Sequence, residues 1–259
     1  MNKVHSSDGT SIAFDRSGKG SPIILVVGAF NDRSTGAPLA KLLEEHFTVF
    51  TYDRRGRGDS GDTAPYALDR EIEDLEALIK EAGGSASVFG YSSGATLSLK
   101  AAAHGLAITK LALYEPPLLV DDSRPRPPED MAAQLARLIA AGRRGEAVEL
   151  FQTKVVGIPV EVVAQLRYAP FRPALEDMAH TLVYEMTIIG DLSVPTELAA
   201  SVTIPTLVMD GGDSPAFMHN GGQALVDALP NGQYRSLSGQ THDIVPEVLA
   251  PVLEEFFAG

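Results

Sequence analysis

The run Gly90-Tyr91-Ser92-Ser93-Gly94 stands between a short apolar stretch, Ala86 to Phe89, and a longer alanine-rich one, Ala95 to Ala103. A strand that enters a helix this abruptly must do so through a strained turn, with one serine at its apex. Side chains two residues to either side of that serine would collide, which accounts for glycine at both positions. The helix then begins beside the hydroxyl, offering an amide and the positive end of its dipole to a developing anion. A bare pentapeptide of this form reads as a glycine-rich turn; the strand before it and the helix after it turn the reading toward an exposed nucleophile.

The surrounding sequence repeats the strand–helix alternation. Pro22 to Phe30, Phe47 to Asp53, Ala86 to Tyr91 and Ile108 to Glu115 are near-continuous apolar runs, as expected of strands covered on both faces. Leu68, Ile72, Leu75, Leu78 and Ile79 recur at helical spacing between two of them, which predicts a mostly parallel sheet. Asp8-Gly9, between two short alternating runs, predicts a hairpin and hence an antiparallel edge. After Glu115 the rhythm stops. Asp121 to Asp130 is a polar, proline-rich connection, and from Met131 to Gly190 the pattern is helical. Strands return at Thr203 to Asp210 and Gln233 to Ser238 before a final helix carrying Val248, Leu249, Val252, Leu253, Phe256 and Phe257. The expected layout is an α/β core from residues 1–120, a helical lid from 121–200, and the rest of the core from 201–259.

Charge and composition exclude several classes of function. With 34 acidic against 21 basic residues the net charge is −13, which opposes nucleic acid and anionic membrane partners and mildly disfavours anionic substrates. The absence of cysteine rules out a disulfide, a thiolate metal site and a cysteine nucleophile. The first residues lack the apolar core of a secretory signal, and the longest apolar run, Ile23 to Phe30, is too short to span a bilayer, so a cytoplasmic location is expected. Oligomeric state leaves no signature.

The elbow around Ser92, the sequence Asp53-Arg54-Arg55-Gly56-Arg57-Gly58-Asp59-Ser60, the helical insertion and a histidine past the last strand together resemble the α/β-hydrolase fold over nearly the whole chain. The resemblance implies an eight-stranded, mostly parallel sheet with a helical lid inserted after the sixth strand. It also implies a structural role for the basic loop, despite the Arg57-Gly58-Asp59 it contains. Ser92 becomes the nucleophile and His242, in the loop before the final helix, the general base. An imidazole with an ordinary pKa of about 6.5 suits that task. The oxyanion hole falls to the amides of Phe30 and Ser93, although Gly28-Ala29-Phe30 replaces the usual His-Gly-apolar run and leaves the register open by one residue. No metal or cofactor is implied.

The acid remains open. In many relatives the turn after the seventh strand places an aspartate where this chain has Ser214, with Asp213 one residue away and Asp210 at the strand end. One branch, which includes lactonases, takes its acid from the end of the sixth strand, where Glu115 precedes two prolines. A glutamate ending an apolar strand is costly to bury unless paired, so Glu115 is the leading candidate and Asp213 the alternative. The expected function is cleavage of a small, largely apolar ester or lactone through an acyl-enzyme. Met131, Phe151, Tyr168, Phe171, Tyr184 and Met186 are available to roof its pocket. A catalyst cleaving carbon–carbon bonds, a non-hydrolytic catalyst, or a binding protein that has lost turnover are the alternatives.

Overall fold

The computed structural model describes residues 1–121 and 123–259; Asp122, within the proline-rich connection, lies outside the described residues. Eight strands form one sheet: β1 (Asn2–His5), β2 (Ser11–Gly18), β3 (Ser21–Val26), β4 (Phe47–Tyr52), β5 (Ala86–Tyr91), β6 (Ile108–Tyr114), β7 (Thr206–Gly211) and β8 (Gly232–Leu237). Their spatial order is β1-β2-β4-β3-β5-β6-β7-β8, antiparallel through β1, β2 and β4 and parallel elsewhere. The Asp8-Gly9 turn makes the predicted antiparallel edge. Strands end earlier than the apolar runs suggest: β3 stops at Val26, and Ala29 and Phe30 lie in a turn beyond it.

The apolar runs feed both faces. In β3, Ile23 and Leu25 enter one hydrophobic cluster while Ile24 and Val26 enter the other, the period-two alternation of a doubly covered strand. Helices α1 (Arg33–Leu43) and, at the C-terminus, α11 (Pro246–Ala258) cover one face, contributing Leu39, Leu43, Leu249, Leu253 and Phe257. Helices α2 (Leu68–Glu81), α3 (Ser93–Ala103) and α10 (Ala216–Ala228) cover the other, with Ile72, Leu75, Leu97, Leu99 and Leu225.

Between β6 and β7 the described residues form six short helices: α4 (Met131–Ala140), α5 (Arg144–Phe151), α6 (Val160–Leu166), α7 (Arg172–Asp177), α8 (Leu182–Ile189) and α9 (Thr196–Ser201). A π-helical turn, Gln152–Val156, follows α5 directly. In α6 Val163 is buried while its neighbour Val162 is 42% exposed. One residue on a helix is a rotation of about 100°, enough to reverse inside and outside on so short an element.

The sheet order fixes where a ligand can bind. From β3 the chain passes to β4 on one side, and β5 adds to the other, so the order reverses at β3. A crevice opens outside the carboxyl ends of strands at such a point. Residues 28–31 leave β3 there, and Ser92 leaves β5.

Candidate active site

Ser92 follows β5 with φ 57° and ψ −125°. Its turn is closed on all sides: a Cβ on Gly94 would lie 2.2 Å from the Val26 carbonyl oxygen, and one on Gly90 would lie 2.7 Å from Ala95 Cα. Both glycines of the motif are therefore demanded by sterics. The Ser92 amide donates to the Tyr114 carbonyl at 2.9 Å and the Glu115 amide to the Met209 carbonyl at 2.8 Å. The parallel ladder thereby runs one residue past β5 and β6, setting Ser92 beside Glu115 at the carboxyl edge, with the Gly211 amide one residue further along β7.

His242 approaches this edge from the loop between β8 and α11. Its Nε2 lies 3.2 Å from Ser92 Oγ and its Nδ1 lies 2.9 Å from Glu115 Oε2. The loop is held by the Tyr114 hydroxyl, which donates to the Thr241 carbonyl, and by the Tyr91 ring, 5.1 Å from the imidazole. The other Glu115 oxygen accepts from the Gly211 amide at 2.8 Å. Burial works against the charged carboxylate, but the bonds from His242 and Gly211 outweigh it and hold the Glu115 carboxyl below the ordinary glutamate range.

The other carboxylates considered from sequence lie elsewhere. Asp213 is exposed and engages through its amide, which donates to the Gln240 carbonyl at 2.9 Å. Asp210 is buried, but it pairs with His219 Nδ1 at 2.9 Å and accepts from the Tyr234 hydroxyl. The Asp210 bond is the main reason the His219 imidazole titrates above the ordinary range. Ser214, in the slot many relatives give to aspartate, is buried in the same turn.

Phe30 and Ser93 both line the space in front of Ser92. Among the described turns and caps neither amide donates to a backbone acceptor. Phe30 sits at φ 60°, and among the described residues the other non-glycine positions with positive φ are Ser92, Glu115 and Leu192. All four border the same cavity; strain of this kind persists only where surrounding structure enforces it, and it gathers at functional sites. Gly28 is required by close approach, since a Cβ there would lie 2.8 Å from Ser92 Cβ.

The cavity, about 850 Å³, lies between the sheet edge and the insertion, a size that suits a small organic molecule. Of the insertion residues expected to roof it, Phe151 does so, packed edge-on against Phe30 at 5.6 Å. Met131 and Met186 are core residues, Tyr168 and Phe171 face solvent, and Tyr184 stacks on Tyr66. The cavity wall comes instead from Gln152 to Ile158 and from Pro215, Phe217 and Met218. His180, the other histidine of the insertion, lies 3.8 Å from Asp62 and does not border the cavity.

The basic loop after β4 is a buried scaffold. Arg54 makes a two-pronged pair with Glu71, at 2.7 and 2.8 Å, and reaches Glu185 of α8 at 2.9 Å. Arg57 also pairs with Glu185, and it donates to the carbonyls of Gly28 at 2.6 Å and Asn31 at 3.0 Å. Glu185 had a visible sequence signal, a lone acid in the apolar run Leu182 to Ile189, because such a charge is buried only with a partner.

Among the described residues no group of three or more histidines and carboxylates could hold a metal, and no helix is long and apolar enough to cross a membrane. A family model described as "Alpha/beta hydrolase family" matches residues 23–250. The crystal structure of an alpha/beta hydrolase from Sphaerobacter thermophilus is 58% identical over 99% of this chain and 100% of that one, with a TM-score of 0.94. A thermophilic esterase from Thermogutta terrifontis, solved with malate bound, is 22% identical over 99% of this chain and 97% of its own, with a TM-score of 0.75. The enol-lactonase from Burkholderia xenovorans is 21% identical over 100% of both chains, with a TM-score of 0.73. A curated relative, the uncharacterized protein YqjL of Bacillus subtilis, is 32% identical over 85 residues, which span 32% of this chain and 34% of that protein.

Proposed function

The chain belongs to the alpha/beta hydrolase family, and from that premise we propose that it is a serine hydrolase cleaving a carboxylic ester or lactone. The observation that carries this reading is the continuous hydrogen-bonded series Ser92–His242–Glu115 opening on the cavity. The substrate carbonyl sits beside Ser92, whose Oγ attacks the carbonyl carbon while His242 Nε2 takes the proton. Glu115, bonded to Nδ1, keeps the imidazole in the productive tautomer and stabilises its charged form. The amides of Phe30 and Ser93 receive the negative charge that forms on the carbonyl oxygen. His242 then returns the proton to the departing oxygen, leaving an acyl-enzyme that water clears by the same steps in reverse order. In a lactone the departing oxygen stays tethered to the acyl group. The insertion, taken as residues 121–200, acts as a lid that keeps the apolar part of the substrate from water, and no cofactor takes part.

The test is a panel of p-nitrophenyl esters and lactones assayed with the wild type beside Ser92→Ala. Hydrolysis by the wild type with loss in the variant supports the reading; equal rates in both would overturn it.

A further inference from the structure

The cavity in front of Ser92 runs against the charge of the whole chain. Three basic side chains, Arg124, Arg126 and Lys154, line it against one carboxylate, Glu115, whose oxygens are taken by Gly211 and His242. Most arginines elsewhere lie on carboxylates, as in Arg54–Glu71, Arg55–Asp74, Arg172–Glu176 and Arg235–Glu255, although Arg144 also lies on backbone carbonyls. Arg124 and Arg126 lie on neutral oxygens instead. Arg124 donates to the carbonyls of Val156 and Val155 at 3.0 and 2.5 Å, and Arg126 to those of Asp191 and Leu119 at 2.7 and 3.1 Å and to Ser193 Oγ at 3.2 Å. No carboxylate among the described residues forms an ion pair with either.

Arg124 is held in place. Its guanidinium lies over the Phe217 ring at 4.9 Å, and Gly157, at φ +88°, lies against its other contacts so closely that a Cβ would come within 3.2 Å of Cζ. Pro125, Pro127 and Pro128 restrict the backbone that carries both arginines. Burial pulls the Arg124 pKa down, the mark of a charge partly removed from water. A guanidinium has five donors, and the two carbonyls occupy two of them. A half-buried cation with no counter-charge among the described residues is costly, and an incoming carboxylate matched to the guanidinium fork offsets that cost.

We infer that Arg124, with Arg126 and Lys154 beside it, binds a carboxylate of the substrate, so that the ester or lactone opened at Ser92 carries an acid group on its far side. This rests on the serine-hydrolase reading above. It also departs from the expectation that a strongly acidic chain disfavours anionic substrates, because a substrate in the cavity meets the nearby cations and not the screened charge of the outer surface.

The experiment compares the mono-p-nitrophenyl ester of glutaric acid with p-nitrophenyl pentanoate, which has the same carbon chain without the acid. Wild type should favour the acid ester in kcat/KM by about tenfold or more, mainly through KM, and added salt should erode that preference. Arg124→Gln should bring the ratio near one, because the acid ester loses far more than the neutral one, and Arg124→Lys should keep part of it. A wild type without the preference, or an Arg124→Gln protein that melts lower yet keeps the ratio, would overturn the subsite and leave Arg124 as a cap on the π-helical turn. Binding gives the same comparison without turnover: monomethyl glutarate should raise the Tm of the Ser92→Ala protein, and the shift should vanish when Arg124→Gln is added. Absence of any shift in Ser92→Ala also counts against the subsite. Failure of the hydrolase reading looks different, since both esters would then be cleaved equally by Ser92→Ala and wild type.

Discussion

Arg57 Nη1 donates to the carbonyl oxygen of Gly28 at 2.6 Å and to that of Asn31 at 3.0 Å, so a single guanidinium clamps both ends of the segment that carries Phe30. Its second arm pairs with Glu185, which ties this segment to helix α8 of the insertion. Arg57→Lys keeps the charge but cannot span both carbonyls and the carboxylate at once. The expected result is a kcat lowered about ten- to hundredfold with a smaller change in KM, the usual cost of a misplaced reacting group.

Glu185→Gln acts on the same cluster from the other side. It removes the carboxylate that Arg54 and Arg57 share and leaves two buried guanidinium groups under-compensated. Breaking a buried pair in this way costs about 3–5 kcal/mol, so the melting temperature should fall by many degrees. Unchanged melting would mean that Glu71 and the backbone carbonyls suffice to hold both arginines.

The proposed nucleophile should be separable from its neighbour. Ser92→Ala should reduce turnover by about 10⁶ and abolish labelling by a fluorophosphonate probe. The Ser93 hydroxyl is buried without a hydrogen-bond partner among the described residues, so Ser93→Ala removes no bond and should keep most activity. Gly28→Ala is a third arm: its Cβ would press on Ser92, 2.8 Å from Cβ and 3.3 Å from Oγ, and turnover should drop in a protein that still folds.

Glu115→Gln should cost far more turnover than changes at either aspartate, about 10⁴ by comparison with the equivalent change in a serine protease. Asp210→Asn should instead lower stability by about 1–3 kcal/mol through its bonds to His219 and Tyr234. Asp213→Asn, at an exposed side chain, should do little to either. Kinetics normalised to the folded fraction distinguishes the three, and a crippled Asp213→Asn beside an active Glu115→Gln would move the acid to the turn after β7.

The two titrating pairs predict opposite pH limbs of stability. The folded Glu115 carboxyl titrates below its ordinary value of 4.5, so its contribution is complete above that pH and is lost as pH falls through the lower folded value. His219 titrates above its ordinary 6.5, so its contribution is complete below that pH and is lost as pH rises through the raised value. Melting curves against pH should show Glu115→Gln flattening the acid limb and His219→Gln the neutral-to-alkaline one; the reverse assignment would sink both attributions.

What the sequence determined by itself is what depends on near neighbours. The strand, turn and helix around Ser92 follow from local sterics and from apolar spacing, and so do the hairpin at Asp8-Gly9 and the strand–helix rhythm that demands a parallel sheet. The sequence also narrowed the partner of His242 to three carboxylates, because acids at strand ends stand out in apolar runs. It ranked Glu115 first, on the cost of burying an unpaired acid, but carried no contact that decides among them. Glu115 and His242 are 127 positions apart, and they meet because β6 lies between β5 and β7, so that Gly211 and His242 converge on one carboxylate while Asp210 turns to His219 and Tyr234. The same holds for Glu185, which supports the Gly28–Asn31 segment only through the intervening arginine, and for Arg124, which reads as one residue of a polar linker until the π-helical turn and Phe217 enclose it. Each of these depends on which strand ends and loops become neighbours in space. Long-range packing of the sheet and the insertion decides that, and no local pattern in the chain encodes it.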